Sequence, residues 1–200
     1  MYSPIGRRLR RGKYAVRLSD LMAAEGCGMQ AAYTRLRTTY SEAASMEIRE
    51  ARLDDAEEAC IAVRRSIVEL CHADHRGDAP TISAWLANKT ADNMRRWIAR
   101  MRVFVVTEHG RILGVCALKP PGEITLNYVS PDARFRGVTK ALVRQSELQA
   151  ADLGAKIVRV QSSLTALRFY RGAGYRSAGP PVKGFGITSG YPMTKLLERP

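Results

Sequence analysis

"RFRGVTKAL", residues 134–142, lies between the apolar run "ITLNYVSP" (124–131) and a stretch with helical periodicity. It reads as strand, turn and helix, with Gly137 at the helix start and Arg134 and Arg136 just before it. The first backbone N–H groups of a helix have no partner within it, and the macrodipole is positive at that end. Glycine lets another group approach the backbone closely. These are the ingredients of a pyrophosphate cradle. They are equally those of an ordinary capped helix with two surface arginines, and this stretch alone leaves both readings standing. Other phosphate motifs fit less well. A P-loop requires G-x-x-x-x-G-K-[ST] and a dinucleotide fingerprint G-x-G-x-x-G, whereas this turn holds a single glycine.

The neighbouring segments give the order of elements. Downstream, the helix runs from about Gly137 to Leu153, with Gly154 where a C-terminal glycine belongs. "KIVRVQ" (156–161) reads as a strand. "LTALRFYRGAGY" (164–175) reads as a short helix ended by Gly172 and Gly174. "GITSGYPMTKLL" (186–197) reads as a last strand or a hairpin. Upstream, "VFVVTEHGRILGVCALK" (103–119) is a hairpin around a turn containing Gly110, and "EITLNYVS" (123–130) is the next strand. Residues 47–52 alternate as a strand should, and a helix follows with Ala56, Cys60, Val63, Ile67 and Leu70 on one face. Asp54, with Glu57 three residues on, is expected to cap it. "CHADHRGDAP" (71–80) reads as a loop, and "TISAWLANKT" (81–90) and "ADNMRRWIARM" (91–101) as helices, the second capped by Asp92. The order β-α-α-β-β-β-α-β-α-β, with an antiparallel hairpin leading into a β-α-β crossover, predicts an α+β fold around a mixed sheet.

Composition narrows the classes of function. A chain of 200 residues with 46% hydrophobic content fits one domain with an extension. No apolar run approaches a membrane span and no secretory signal is present, so no membrane partner is expected. Four cysteines without a C-x-x-C pair point to a reducing, cytoplasmic setting. The net charge of +13 attracts anions, nucleic acids and phosphorylated small molecules among them. Residues 1–45 read apart from the rest. "RRLRRGKYAVR" (7–17) is a charge cluster without periodicity, and Met46 opens "MEIREARLDDAEEAC" as a fresh start. An upstream start codon, a disordered basic arm and a transit peptide are the three readings of that segment, the first favoured. The expected division is a poorly ordered basic extension, 1–45, and a folded domain, 46–200.

A family resemblance decides between the two readings of the opening stretch. "RFRGVT" (134–139) resembles the Q/R-x-x-G-x-G/A motif of the GCN5-related N-acetyltransferases, the GNAT family. Arg134 and Gly137 match, and Thr139 departs from Gly/Ala. "SLTALRFYRGAGY" (163–175) is similar to the family segment N-x-x-A-x-x-F-Y-x-x-x-G-F. Ala166, Phe169, Tyr170 and Gly174 match, Ser163 replaces Asn and Tyr175 replaces Phe. The resemblance covers about three quarters of the chain, from Met46 onward.

The resemblance implies α/β/α layers: a mixed, mostly antiparallel sheet flanked by helices, splayed after its fourth strand, with acetyl-CoA in the opening. It implies that backbone amides of Arg134, Phe135, Arg136, Gly137, Val138 and Thr139 hold the pyrophosphate, with the two arginines as added donors. Asn127, Tyr128 and Val129 would pair with the pantetheine arm, and Ser163 joins the cofactor-binding set. Tyr170 aligns with the family's general acid, and Glu123 with a carboxylate that takes the amine proton through water. The activity implied is acetyl transfer from acetyl-CoA to a primary amine of unidentified acceptor, by a monomer or homodimer. Asn127 and Cys116 are further candidates to face the cleft, while Trp85 and Trp97 read as core or interface. "CHADH" (71–75) offers metal-capable side chains without a separate ligand pair, so no metal is expected and substrate contact is the expectation there. Three rivals stand beside this reading: a nucleic-acid-binding module driven by charge, an acetyltransferase acting on an RNA-borne or ribosomal acceptor, and a degenerate, non-catalytic family member.

Overall fold

Period-two runs became strands and 3.6-period runs became helices in the computed structural model, which describes residues 46–184 and 187–197. The expectations for residues 1–45 lie outside the described residues. The chain forms β1 (Glu47–Glu50), α1 (Ala56–Leu70), a single helical turn α2 (His72–His75), α3 (Ala79–Leu86) and α4 (Ala91–Arg100). The strands β2 (Arg102–Glu108), β3 (Arg111–Lys119) and β4 (Glu123–Val129) follow. Then come α5 (Val138–Asp152), β5 (Ile157–Ser162), α6 (Leu164–Gly172), β6 (Arg176–Ser177), β7 (Val182–Gly184) and β8 (Ile187–Leu196).

One sheet runs β1-β2-β3-β4-β5-β8-β6, with β7 paired to β8. The β4–β5 pair is parallel because α5 carries the chain across, and the other pairs are antiparallel. The expected mixed, mostly antiparallel sheet is therefore present. The tight β2–β3 hairpin turns on His109 and Gly110, with φ of 50° and 74°, the double positive φ that a two-residue turn needs.

Alternation along β2 and β3 divides the core between the two faces of the sheet. Phe104, Val106, Cys116 and Leu118 pack under Leu142 and Val143 of α5 and Tyr170 of α6. Val103, Val105, Val115 and Ala117 pack under Ala59, Val63 and Ile67 of α1 and Met94 of α4. Strands with apolar residues on both faces require cover on both, and three layers result.

Several local expectations are corrected. Asp54 does not cap α1. Asp55 accepts from the Arg52 amide at 2.6 Å and pairs with Arg49 at 2.7 and 2.8 Å. Asp92 does not cap α4; Thr90 Oγ1 accepts from the Asn93 amide at 3.2 Å, and Asp92 pairs with Arg95. The segment 71–80 is not wholly a loop, since it holds α2 and the start of α3, capped by Asp78 through the Thr81 amide at 2.9 Å. The short strands β6 and β7 were too brief to read from periodicity.

The Arg49–Asp55 pair carries a pH prediction. The Arg49 hydrogen bond holds the Asp55 carboxyl below its ordinary value, and burial opposes it. A lowered folded pKa means that the pair's stabilisation is complete above the unfolded value of about 3.9 and is lost as pH falls through the folded value. Asp55→Asn should therefore lower the melting temperature at pH 7, and the two melting curves should converge by about pH 3. A constant offset across that range would remove the pair from the acid response.

Candidate active site

β4 and β5 part almost as soon as they meet. They pair only at Glu123↔Arg159 and Ile124↔Val160, while β4 continues to Val129 and β5 to Ser162. Beyond Ile124 the edge of β4 facing β5 has no strand partner. Within the same stretch the β3 register shifts, Leu118 opposing Ile124 but Ala117 opposing Leu126, so Thr125 is an extra residue. Such a bulge turns every later side chain to the opposite face. Ile124 packs on the α5 side and Leu126 on the α1 side. Asn127 is thereby turned toward α6. The parting strands and the bulge open a cleft of about 380 Å³.

Tyr170 is 2% exposed and lines this cleft. Its ring packs edge-on against Phe169 and Tyr175, with centroids 5.2 and 5.1 Å away. Asn127 Nδ2 donates to the Tyr170 hydroxyl at 2.9 Å. The phenol oxygen thus accepts, and its own hydrogen remains available to the cleft. Burial, first among the causes, pushes the phenol pKa well above its ordinary value, and the Asn127 bond acts the other way. Tyr170 is therefore protonated at neutral pH and is equipped to give a proton, not take one. Asn127 Oδ1 is buried without a donor among the described residues, an acceptor suited to an N–H in the cleft.

The helix bearing Tyr170 is tied at its start by two oxygen-bearing side chains. Ser163 Oγ accepts from the Ala166 amide at 3.2 Å. Asp74 accepts from the Leu164 amide at 2.6 Å, the Thr165 amide at 3.0 Å and the Thr165 hydroxyl at 2.5 Å. None of the residues 71–75, where substrate contact was expected, lines this cleft; Ala73, Asp74 and His75 line a second hollow with Leu164 and Tyr191. His75 accepts from the Gly77 amide at Nδ1, so its Nε2 carries the hydrogen and donates to the Ile67 carbonyl at 3.1 Å.

At the far end of β4, the loop before α5 presents backbone donors. Gly137 has φ of 85° and no side chain to cap the helix. The first helical bond runs from the Ala141 amide to the Gly137 carbonyl at 3.0 Å, so the amides of Val138, Thr139 and Lys140 have no partner within the helix. A Cβ on Gly137 would meet nothing within 4 Å, so the space in front of these amides is open. Phe135 also has a positive φ, 63°, and its ring is 91% exposed beneath the Arg134 guanidinium, 4.5 Å away.

Arg136 is corrected as a free donor. Its guanidinium is held by Glu108 at 3.0 and 2.5 Å, and this pair together with Arg65–Asp132 at 2.7 Å fixes the loop from both sides. The start of α5 lies directly on β3, where a Cβ on Gly114 would stand 2.5 Å from Val138.

The remaining candidates divide. Cys116 does not face the cleft; it is fully buried, bonded to Ser146 Oγ at 3.1 Å, and burial pushes its pKa up to about 12. Glu123 lines the exposed rim, with Lys119 Nζ 3.4 Å away. Strand rise puts it about 13 Å from Asn127. Trp85 and Trp97, expected as core or interface, both pack in the core on the α1 side and also line the cleft, and Trp85 Nε1 donates to the Tyr128 hydroxyl at 3.2 Å. Lys89, buried between these tryptophans' helices, also lines the cleft and had no signal in the sequence.

A mixed sheet that splays at its one parallel pair, with open helix-start amides at the strand end, defines an acyl-CoA-type acyltransferase fold. The family model described as the Acetyltransferase (GNAT) domain matches residues 71–197, and the chain belongs to this family of acetyltransferases. No curated protein matches the chain in sequence. Among solved structures it is similar to a GCN5-related N-acetyltransferase from Rhodopseudomonas palustris. That likeness has a TM-score of 0.70 and 26% identity, over 77% of this chain and 97% of that one. PaiA N-acetyltransferase from Thermoplasma acidophilum, in complex with coenzyme A, matches with TM-score 0.65 and 18% identity, over 77% and 100% of the two chains. YncA from Salmonella typhimurium, with its cofactor acetyl-CoA, matches with TM-score 0.60 and 19% identity, over 78% and 96%. The last two likenesses concern the fold.

Proposed function

We propose that this acetyltransferase moves the acetyl group of acetyl-CoA directly to an amine, with Tyr170 as the general acid. The observation that carries the reading is the buried Asn127–Tyr170 hydrogen bond inside the splay, in which the phenol oxygen accepts and its own hydrogen has no acceptor among the described residues. The residues present suit acetyl-CoA. The unpaired edge of β4 at Asn127, Tyr128 and Val129 offers backbone groups to the pantetheine amides, and Asn127 Oδ1 offers one more acceptor. The amides of Val138, Thr139 and Lys140, free at the start of α5, suit the pyrophosphate, with those of Phe135 and Gly137 beside them; the Arg134 and Arg136 amides already donate to the Pro131 and Ala133 carbonyls at 3.3 Å. Ser163 lines the cleft, though its hydroxyl oxygen already caps α6.

In this reading the acceptor ammonium first loses a proton to water, and Glu123 on the rim receives it. The neutral amine attacks the thioester carbonyl and a C–N bond forms. As the tetrahedral oxyanion collapses, the C–S bond breaks and the sulfur leaves as thiolate. Tyr170 gives its proton to that sulfur, and Asn127 Nδ2 supports the transient phenolate. The proton released from nitrogen as the amide forms restores the phenol. Thiols and phenols have comparable ordinary pKa values, and burial raises both, so the transfer stays nearly balanced in a dry cleft.

Calorimetric titration with acetyl-CoA tests the binding half of this reading. Gly137→Ala should weaken affinity about tenfold or more, because the added methyl enters the phosphate space and strains the loop at positive φ by about 1–2 kcal/mol. Equal affinity in the folded variant would remove the pyrophosphate assignment. No heat from the wild-type protein would remove the cofactor.

A further inference from the structure

Lys89 is 5% exposed, yet no carboxylate pairs with it among the described residues. Its Nζ donates to Asn88 Oδ1 at 2.5 Å and lies 5.8 Å from the centre of the Trp97 ring. Its backbone is fixed on three sides. Its amide donates to the Leu86 carbonyl at 2.9 Å, and its carbonyl accepts from Cys60 Sγ at 3.1 Å and from Arg64 at 3.0 Å. This is not a surface lysine swinging in solvent. An ammonium withdrawn from water without a counter-charge is unfavourable, and burial pulls its pKa down to about 8. It still carries its charge in most molecules at neutral pH.

The walls around it are apolar: Trp85, Trp97 and Met101. Among the described residues the other cation on the cleft is Lys183, and the one carboxylate, Glu123, is matched by Lys119 at the rim. The cleft thus joins apolar wall residues to a nearly buried cation, whose one side-chain hydrogen-bond partner among the described residues is the neutral Asn88. None of the residues 131–140 lines the cleft, so the charge is not placed for the CoA phosphates.

We propose that Lys89 anchors an anionic group of the acceptor, and that the acceptor is a small amine carrying a carboxylate beside an apolar or aromatic body, an amino acid in chemical class. The inference rests on the acetyl-CoA reading above. The carboxylate meets Lys89, the apolar body lies against Trp85, Trp97 and Met101, and the amine is left facing the acetyl group near Tyr170. A protein of net charge +13 repels a bare cationic amine, and it repels a zwitterion of zero net charge less.

The test compares acceptors in pairs that differ only by the carboxylate: L-phenylalanine with phenethylamine, and L-methionine with 3-(methylthio)propylamine. Thiol release gives kcat/KM for each, in the wild-type protein, Lys89→Met and Lys89→Arg. Acid over amine should be favoured by about tenfold or more in the wild type, the worth of one charge-assisted bond. The preference should vanish in Lys89→Met and persist in Lys89→Arg, and the loss should appear in KM before kcat.

A preference for the decarboxylated partner, or one untouched by Lys89→Met, overturns the proposal. If no acceptor turns over, titration of the CoA-saturated protein with N-acetyl-L-phenylalanine and N-acetylphenethylamine, read by Trp85 and Trp97 fluorescence, decides it. Equal or absent binding overturns the proposal, and selective binding of the acid upholds it. Acetyl-CoA calorimetry on the same sample separates the two levels. Binding heat without a carboxylate preference sinks only the Lys89 assignment, whereas no binding heat sinks the reading beneath it as well.

Discussion

Tyr170→Phe should lower kcat by about 10²–10⁴ and leave acetyl-CoA affinity within a few fold, the usual worth of a positioned acid. The substitution removes one oxygen and keeps the ring between Phe169 and Tyr175. An interaction made only in the transition state should lower kcat and kcat/KM together. A stability change is also expected, because Asn127 Nδ2 loses its acceptor in a buried place. An unsatisfied buried donor costs about 1–3 kcal/mol, so the variant should melt several degrees lower and still fold. The kinetic loss must therefore be measured well below the new melting temperature. If kcat is untouched there, the proton comes from water or another group. If affinity collapses while kcat holds, the hydroxyl is a ligand for the cofactor.

Asp74→Ala should be the most damaging change outside the cleft. Asp74 lies on α2, but its carboxylate accepts three bonds from Leu164 and Thr165, 90 and 91 residues later in the chain. Bonds to a charged acceptor contribute about 1.5–3 kcal/mol each, and they do not add fully. The loss of all three should destabilise by roughly 3–4 kcal/mol, or about 10 °C for a domain of this size. Ser163 still caps α6 in the variant, so the helix should form but dock loosely. Because Tyr170 sits on that helix, kcat should fall even at temperatures where the protein is folded. Thermal melting and single-turnover kinetics measure the two effects separately. Wild-type melting would show that Ser163 alone suffices, and wild-type kcat in the destabilised variant would show that Tyr170 is positioned by its own packing.

Much of the fold was legible because its signals are local. The His109–Gly110 hairpin, the strand 123–129 and the helix after Gly137 each announce themselves within a dozen residues. Tyr170 was legible through the spacing of Ala166, Phe169 and Gly174 on one short helix. What was hidden depends on distance or on single-residue offsets. "ITLNY" looks like an unbroken strand, and nothing in its alternation reveals that Thr125 is supernumerary. Asp74 looked like one of several polar residues in a loop, since its partners lie 90 and 91 residues further along the chain. Arg136 looked like a phosphate donor until Glu108, on a neighbouring strand end, was found in its grasp. Asp54 and Asp92 satisfied a capping pattern, but helix boundaries shift by a residue or two: Thr90 caps α4, while Asp55 at the start of α1 turns its carboxylate back to the Arg52 amide and Arg49 and caps nothing. Lys89 drew no reading at all, because burial is a property of packing and leaves no mark in the sequence.

The two paired residues that join β4 to β5 also set the stiffness of the molecule. Elsewhere neighbouring long strands are bonded over most of their length, whereas this junction holds at Glu123 and Ile124 alone. The sheet thus has one line of low bending rigidity running across it, and two comparatively stiff panels on either side. Fluctuations concentrate in a single soft coordinate, the angle between the panels. A molecule lodged along the open edge of β4 and touching β5 as well would bridge the two panels and remove that freedom, and its binding entropy would then contain the freezing of this motion as well as of its own bonds.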